Sequence, residues 1–215
     1  MRTSSCESRF LLKKTAMFSL SKPNENQIRA FIEAEKNLPF SYPEIGRTRD
    51  GEPVAGYNND FNFIELGRGE AAWEAAKNAV RQWKMFPGGW AFVAPENTPI
   101  RESEVVAMAA KILGTWWLNS CRIVYVLDNE RQFGFAYGTL PGHAERGEEL
   151  FLVEKDGDGT VWYRLRAFSW PRHWLARLGY PVARAYQRKF VRDSKKSMRD
   201  FVQNGSLTTQ KPLNH

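Results

Sequence analysis

The chain has 215 residues, 42% apolar and 26% charged, with a formal charge of +7. Aromatics at 13% can fill a core, so wholesale disorder is excluded. No apolar run has the length of a bilayer-spanning helix, and the two cysteines, Cys6 and Cys121, are too few and too far apart for a disulfide scaffold. With three histidines, His143, His173 and His215, they match no zinc spacing, so no metal and no cofactor is expected, and a cytoplasmic setting is the default.

Residues 1–16 are basic and Ser-rich, and read as a disordered extension or as the result of a misassigned start with Met17 as the true one. Residues 24–38 read as a short helix: Asn24 is a candidate N-cap with Gln27 three residues on, and Ile28, Phe31 and Ile32 share a face. The Gly-, Pro- and Asn-rich stretch from Tyr42 to Asn62 reads as loop with one short strand at most. Leu66-Gly67-Arg68-Gly69 lacks the context of a dinucleotide fingerprint and reads as a turn that lets the next helix pack closely. That helix, residues 69–84, places Trp73, Ala76, Val80 and Trp83 on one face.

The period then changes to two. Trp90–Ala94, Val105–Trp117, Cys121–Leu127, Phe133–Thr139, Glu148–Lys155 and Thr160–Ser169 are strand-like, joined by hairpin turns such as Asp156-Gly157-Asp158-Gly159. Short turns between successive strands predict an antiparallel meander. From Pro181 a helix runs to about Gln203, with Val182, Tyr186 and Phe190 as its apolar stripe; residues 204–215 read as a flexible tail. Residues 171–203 hold nine Lys/Arg and two Asp, so the whole net excess lies there. Such a segment can dock on phosphate or anionic lipid, or it can be a solvated helix face meeting an acidic body. The aromatics do not interleave with the basic residues, which argues against nucleic acid. Peripheral membrane contact through the helix is the less favoured alternative. The expected fold is α+β: one domain over residues 17–203, with about six antiparallel strands curved around a long C-terminal helix that covers the apolar sheet face.

The loop from Thr139 to Gly147 gathers Thr139, His143, Glu145 and Arg146, and Glu148 and Glu149 follow. An imidazole that titrates near neutrality beside carboxylates is suited to proton transfer, so His143, Glu148 and Glu149 are the candidate acid–base residues; an ordinary Gly/Pro turn is the alternative. Period two puts Ile123 with Tyr125 on one face, Phe133, Phe135, Tyr137 and Thr139 on another, then Glu149, Phe151 and Val153, then Val161, Tyr163, Leu165 and Ala167. Turned inward, these faces make Tyr125, Phe135, Tyr137, Thr139, His143, Glu149, Phe151 and Tyr163 the candidate ligand-binding set, or else an ordinary core with bonded tyrosines. An inward Glu149 needs a partner: Arg122, Arg164 or a tyrosine hydroxyl.

The stretch AYGTLPGHAERGEELFLVE followed by VWYRLRAFSWPRHWLARLGYPVARAYQRKF resembles the uncharacterised family called domain of unknown function 1990, over about residues 40–195. Its motif falls on Gly138, Thr139, Leu140, Pro141, Gly142, His143, Gly147, Glu148 and Glu149, without roles. The resemblance implies a helix-grip fold similar to the Bet v 1/START-like domains, many of which bind apolar ligands. Three functions follow as expectations: binding of a small hydrophobic molecule between sheet and helix, an enzyme on the same cavity using His143 with Glu148 or Glu149, and peripheral interaction through the basic helix.

Residues 1–16 sustain no apolar period. A chain beginning at Met17 is expected to melt within a degree or two of the full chain, about what a surface change of under 0.5 kcal/mol produces. A large fall in Tm on truncation contradicts the assignment.

Overall fold

The computed structural model describes residues 18–172 and 179–209, with side chains through Asn204. The expected extension at 1–16 and the stretch 173–178 lie outside the described residues. The chain runs β1 (Phe18–Ser19), α1 (Glu25–Glu35), a 3-10 turn (Arg47–Arg49), β2 (Asn58–Arg68), α2 (Gly69–Arg81), β3 (Ala91–Ala94), β4 (Val105–Ile112), β5 (Thr115–Asp128), β6 (Gln132–Thr139), β7 (Glu145–Lys155), β8 (Thr160–Pro171) and α3 (Tyr180–Thr209). The strands form one antiparallel sheet in the order β2-β8-β7-β6-β5-β4-β3, with β1 paired to β5. The meander predicted from the hairpin turns is present, and the fold is the helix-grip class.

Local chemistry explains the elements. Asn24 caps α1 as expected: its Oδ1 accepts from the Gln27 amide at 2.9 Å, and Gln27 Oε1 accepts from the Asn24 amide. Ile28, with Phe31 and Ile32, lays α1 on the convex side against Ala107, Ala109, Trp116 and Leu118. The buried stripe of α2, Ala72, Trp73, Ala76, Ala79 and Val80, fills one end of the concave side over Phe133, Phe135, Phe151 and Val153. Helix α3, about 45 Å long, divides in two. Ser194, Met198 and Val202 are buried, and Ser194 Oγ meets Tyr163 Oη at 2.9 Å. No residue from Tyr180 to Asp193 is fully buried. The helix extends to Thr209, past the expected end near Gln203 and into the stretch expected to be a tail.

Three strand expectations are corrected. Among the described residues the sheet has eight strands where about six were expected: the two-residue β1 pairs with β5, and Asn58–Arg68, whose first residues fall in the stretch expected to be mainly loop, is an 11-residue edge strand. Its pattern is inverted: Phe61 and Phe63 face solvent at 48% and 60% exposure, Asp60 and Asn62 face inward, and so it does not read as a half-buried strand. Val105–Trp117 is not one strand. Leu113 (φ 47°) and Gly114 (φ 83°) form a two-residue hairpin with both residues left-handed, and β5 begins at Thr115 without a break before Cys121. Finally, Ile123 pairs with Tyr137 but Tyr125 pairs with Ala136, so Val124 is an extra residue in a β-bulge. The bulge turns Tyr125 to the convex face, where it packs with Ala136, Leu150 and Leu152.

Met198 is fully buried where the second half of α3 meets α2 and the sheet. Met198→Ala is expected to cost about 2–5 kcal/mol in urea unfolding, the range for a large-to-small change in a packed core. A loss below 1 kcal/mol would show that α3 is not docked as described.

Candidate functional site

Beyond the end filled by α2, the concave face is uncovered until the first half of α3, and a cavity of about 210 Å³ remains there. It exceeds the ~150 Å³ that accommodates benzene. Met108, Trp117, Leu165 and Phe190 give it apolar walls; Tyr137, Thr139, His143, Glu145 and Glu149 lie on the sheet side, and Asp60, Asn62 and Gln187 complete the polar part.

The pleat of β7 separates the two adjacent glutamates. Glu148 faces the convex side and is buried. Its Oε2 accepts from Tyr42 Oη and the Gly46 amide, both at 2.7 Å, and its Oε1 accepts from the Thr48 amide at 3.1 Å and from Thr48 Oγ1. Gly46 at φ 85° turns the backbone so that its N–H reaches the carboxylate. Glu148 thus fastens the loop before β2 to the back of the sheet. Although its backbone borders the cavity, its carboxylate is taken up by the loop, and the acid–base role considered for it has no geometric support.

Glu149 faces the cavity. Its Oε2 accepts from Tyr137 Oη at 2.8 Å, so the partner is the tyrosine of the three considered; Arg122 instead donates to the Lys36 and Leu38 carbonyls, and Arg164 to Glu154. Enclosure by protein pushes the Glu149 carboxyl up to about 7; the Tyr137 bond opposes this, and the charges of Asp60 and Glu145 add to it. His143 lies in the cavity wall with Nδ1 accepting from the Glu145 amide at 2.9 Å, which leaves the proton on Nε2. Burial lowers its pKa to about 4, with Arg172 contributing. The expectation of a histidine titrating near neutrality is therefore reversed: the glutamate titrates there and the histidine stays neutral.

The loop carrying His143 is fixed on three sides. Glu35 Oε2 accepts from the Gly142 amide at 2.6 Å and from Ser120 Oγ, Leu140 N–H donates to the Ser120 carbonyl, and Asn119 Oδ1 accepts from the Ala144 amide. Gly147, at φ 148°, lies so close to β8 that a Cβ would stand 1.9 Å from the Phe168 carbonyl oxygen. The Thr139 hydroxyl accepts from the Gly147 amide at 2.9 Å and contacts Ser41 Oγ at 2.6 Å. At the other wall, Arg184 of α3 makes a two-pronged pair with Asp60 at 2.6 and 2.8 Å, and Gln187 donates to Glu145 at 2.6 Å.

Of the eight residues expected to bind a ligand, Tyr137, Thr139, His143 and Glu149 line the cavity. Phe135, Phe151 and Tyr163 share their face but are buried in the adjoining core beneath α2 and α3. Tyr125 is on the opposite face, with its hydroxyl 2.9 Å from Thr48 Oγ1 and Arg49 over its ring. Asp60, Asn62, Asn119 and Trp117 escaped the sequence reading; the alternation Asp60-Asn62 against Phe61-Phe63 is the signal that could have found the first two. Cys121 is buried in the core with its thiol pushed up by burial, as expected of a packing residue. Among the described residues no three His, Cys, Asp or Glu side chains converge as a metal site, and no helix is long and apolar enough to cross a membrane.

Residues 41–197 match the model of the family described as Domain of unknown function (DUF1990). A UPF0548 protein of Dictyostelium discoideum is 37% identical over 199 residues, 83% of this chain and 92% of that protein. One of Arabidopsis thaliana is 37% identical over 201 residues, 86% and 97% of the respective chains. Among solved structures, Ara h 8.0201 aligns at TM-score 0.47 with 12% identity, covering 69% of this chain and 99% of that one. The Zhui aromatase/cyclase from Streptomyces sp. R1128 aligns at 0.45 with 12% identity, covering 72% and 96%. The chain belongs to the DUF1990 family.

The two glutamates should separate in stability measurements. Glu148→Gln is expected to cost about 2–4 kcal/mol, because an amide NH₂ faces donors that a carboxylate accepted. Glu149 behaves oppositely. Its folded pKa, about 7, lies above the usual 4.5, so between these values the folded state holds the extra proton and stability falls as pH rises. Glu149→Gln should therefore stabilise the chain at pH 8 by up to about 3 kcal/mol, the gain vanishing toward pH 4.5. Because His143 is depressed to about 4, its contribution falls away below pH 6.5 in both chains and cancels in the comparison. Urea unfolding at pH 5 and pH 8 checks both.

Proposed function

We propose that this member of the family binds a small, largely apolar molecule in the cavity between the concave sheet face and the first half of α3. The observation that carries the reading is the cavity itself: the sheet is packed shut by α2 at one end, yet at the other Met108, Trp117, Leu165 and Phe190 surround empty space instead of one another. Tyr137, Thr139, His143 and Glu149 are then the residues that orient the ligand, and Phe135, Phe151 and Tyr163 hold the wall behind them. A second reading, proton transfer to or from the bound molecule, is favoured by one observation: Glu149 titrates near 7 while hydrogen-bonded to Tyr137, which suits a general acid–base. That role falls to Glu149, not to Glu148.

The basic helix offers less to a membrane or a nucleic acid than its sequence suggests. Arg184, Lys189 and Lys196 are engaged with Asp60, Asp193 and Asp200, so the face is partly neutralised. A cytoplasmic location and a small-molecule partner complete the proposal.

Ala167 lines the cavity beside Glu149 in register on β8. Native mass spectrometry of the chain isolated from its own source is expected to show a bound small molecule, and Ala167→Phe is expected to lose it while retaining its circular dichroism and a cooperative melt. Undiminished ligand on the filled variant would place binding elsewhere.

A further inference from the structure

The cavity is chemically one-sided. Its described lining includes the carboxylates of Asp60, Glu145 and Glu149 and no Lys or Arg. Asp60 is matched by Arg184 through two hydrogen bonds, and Glu145 accepts from Gln187. Glu149 is different. Tyr137 occupies Oε2, and among the described residues Oε1 has no hydrogen-bond partner and is open to the cavity. A carboxylate oxygen open to a cavity loses its water when a ligand fills the space, which is costly unless the ligand donates to it. The groups facing Glu149 are Tyr137 from β6, Cys121 from β5, Tyr163 from β8, Asp60 from β2 and Glu145 from β7. None carries positive charge, and Arg184 on α3 is spent on Asp60. His143 is neutral.

Resting on the reading of the cavity as a binding site, we propose that its ligand is an amphipathic cation: a protonated amine carried on a compact apolar or aromatic body, with the ammonium donating to Glu149 and the body against Trp117, Leu165 and Phe190. An anion would meet three carboxylates with no free counter-cation in the lining. A wholly apolar molecule would leave Glu149 desolvated and unanswered. An ammonium supplies both donor and charge, and the aromatic wall adds attraction for a cation. The rim already shows this chemistry, since the Lys189 ammonium stands 4.0 Å from the centre of the Trp90 ring.

Three probes on one indane skeleton decide the matter: 2-aminoindane, 2-indanol and indane-2-carboxylate, titrated calorimetrically into the full chain at pH 6, 7 and 8. The amine is expected to bind at least about tenfold more tightly than the alcohol at pH 8, the step from a neutral to a charge-assisted hydrogen bond. The carboxylate should be weakest. The advantage of the amine should shrink toward pH 6 as Glu149 protonates. At pH 7, binding of the amine, but not of the alcohol, should release protons, seen as heats that differ between buffers of unlike ionisation enthalpy. In Glu149→Gln the amine should lose its advantage over the alcohol. Equal or tighter binding of the alcohol or the carboxylate to the unaltered chain would overturn the assignment of the head group while leaving the binding site standing. If none of the three binds, the reading of the cavity as a ligand site fails with it. The comparison on the unaltered chain needs no variant to fold.

Discussion

The pleat of a single strand, β7, sends two consecutive carboxylates in opposite directions, and the rest of the site depends on that separation. Glu148 goes to the convex side, where four donors from residues 42–48 converge on it, so it fixes a loop that also packs Tyr42 and Val54 against Phe168. Glu149 goes to the concave side, where among the described residues its hydrogen-bond partner is Tyr137. A register slip of one residue would exchange the two, leaving the loop without its anchor and the cavity without its acid. Gly147 and Gly138 protect the register. A Cβ on the first would strike the Phe168 carbonyl, and one on the second would strike the Tyr42 hydroxyl that Glu148 holds.

The concave face is shared by two helices that do different jobs. Helix α2 is short, and its buried face is rich in alanine, so it can sit deep against Phe135 and Phe151 and bring Trp83 close to Phe135, ring centres 4.7 Å apart. That end is a true core. Helix α3 packs on β2, β8 and α2, and its fully buried residues lie in its second half. Over the first half Arg184, Tyr186 and Gln187 reach the body through their polar ends, while Phe190 packs half-buried against Phe86 and Phe151. The cavity is the space left beneath this half.

Much of this was legible in the sequence. The stripes of α1 and α2 follow a helical period strong enough to read, and the faces of β6, β7 and β8 alternate cleanly, so the concave set of Tyr137, Thr139, Glu149 and Ala167 came out in register. What failed did so for local reasons. Tyr125 was misplaced because a bulge adds one residue without changing composition, and period two has no means to show it. The length of edge strand β2 is not legible because its polar residues point inward, to meet Arg184 and the cavity, while its phenylalanines point out. The break between β4 and β5 was missed because Leu113-Gly114 lacks the usual Asn or Asp of a tight hairpin. The protonation states were illegible in principle. That Glu149 and not His143 titrates near neutrality follows from enclosure, which depends on residues far apart in the chain.

The same division of α3 sets which part of the fold gives way most cheaply. Separating the second half of the helix from the body exposes Met198 and Val202, and loses apolar burial that water does not replace. Separating the first half breaks the Asp60–Arg184 pair and the Gln187–Glu145 bond, which water can largely replace, and loses the contact of the half-buried Phe190 with Phe86 and Phe151 but no fully buried side chain. The lower cost lies directly over the cavity. The polar residues that disguised β2 in the sequence are therefore the ones that make this end of the helix separable from the sheet, and a hydrophobic residue at position 60 or 62 would have closed the space by turning a polar seam into core.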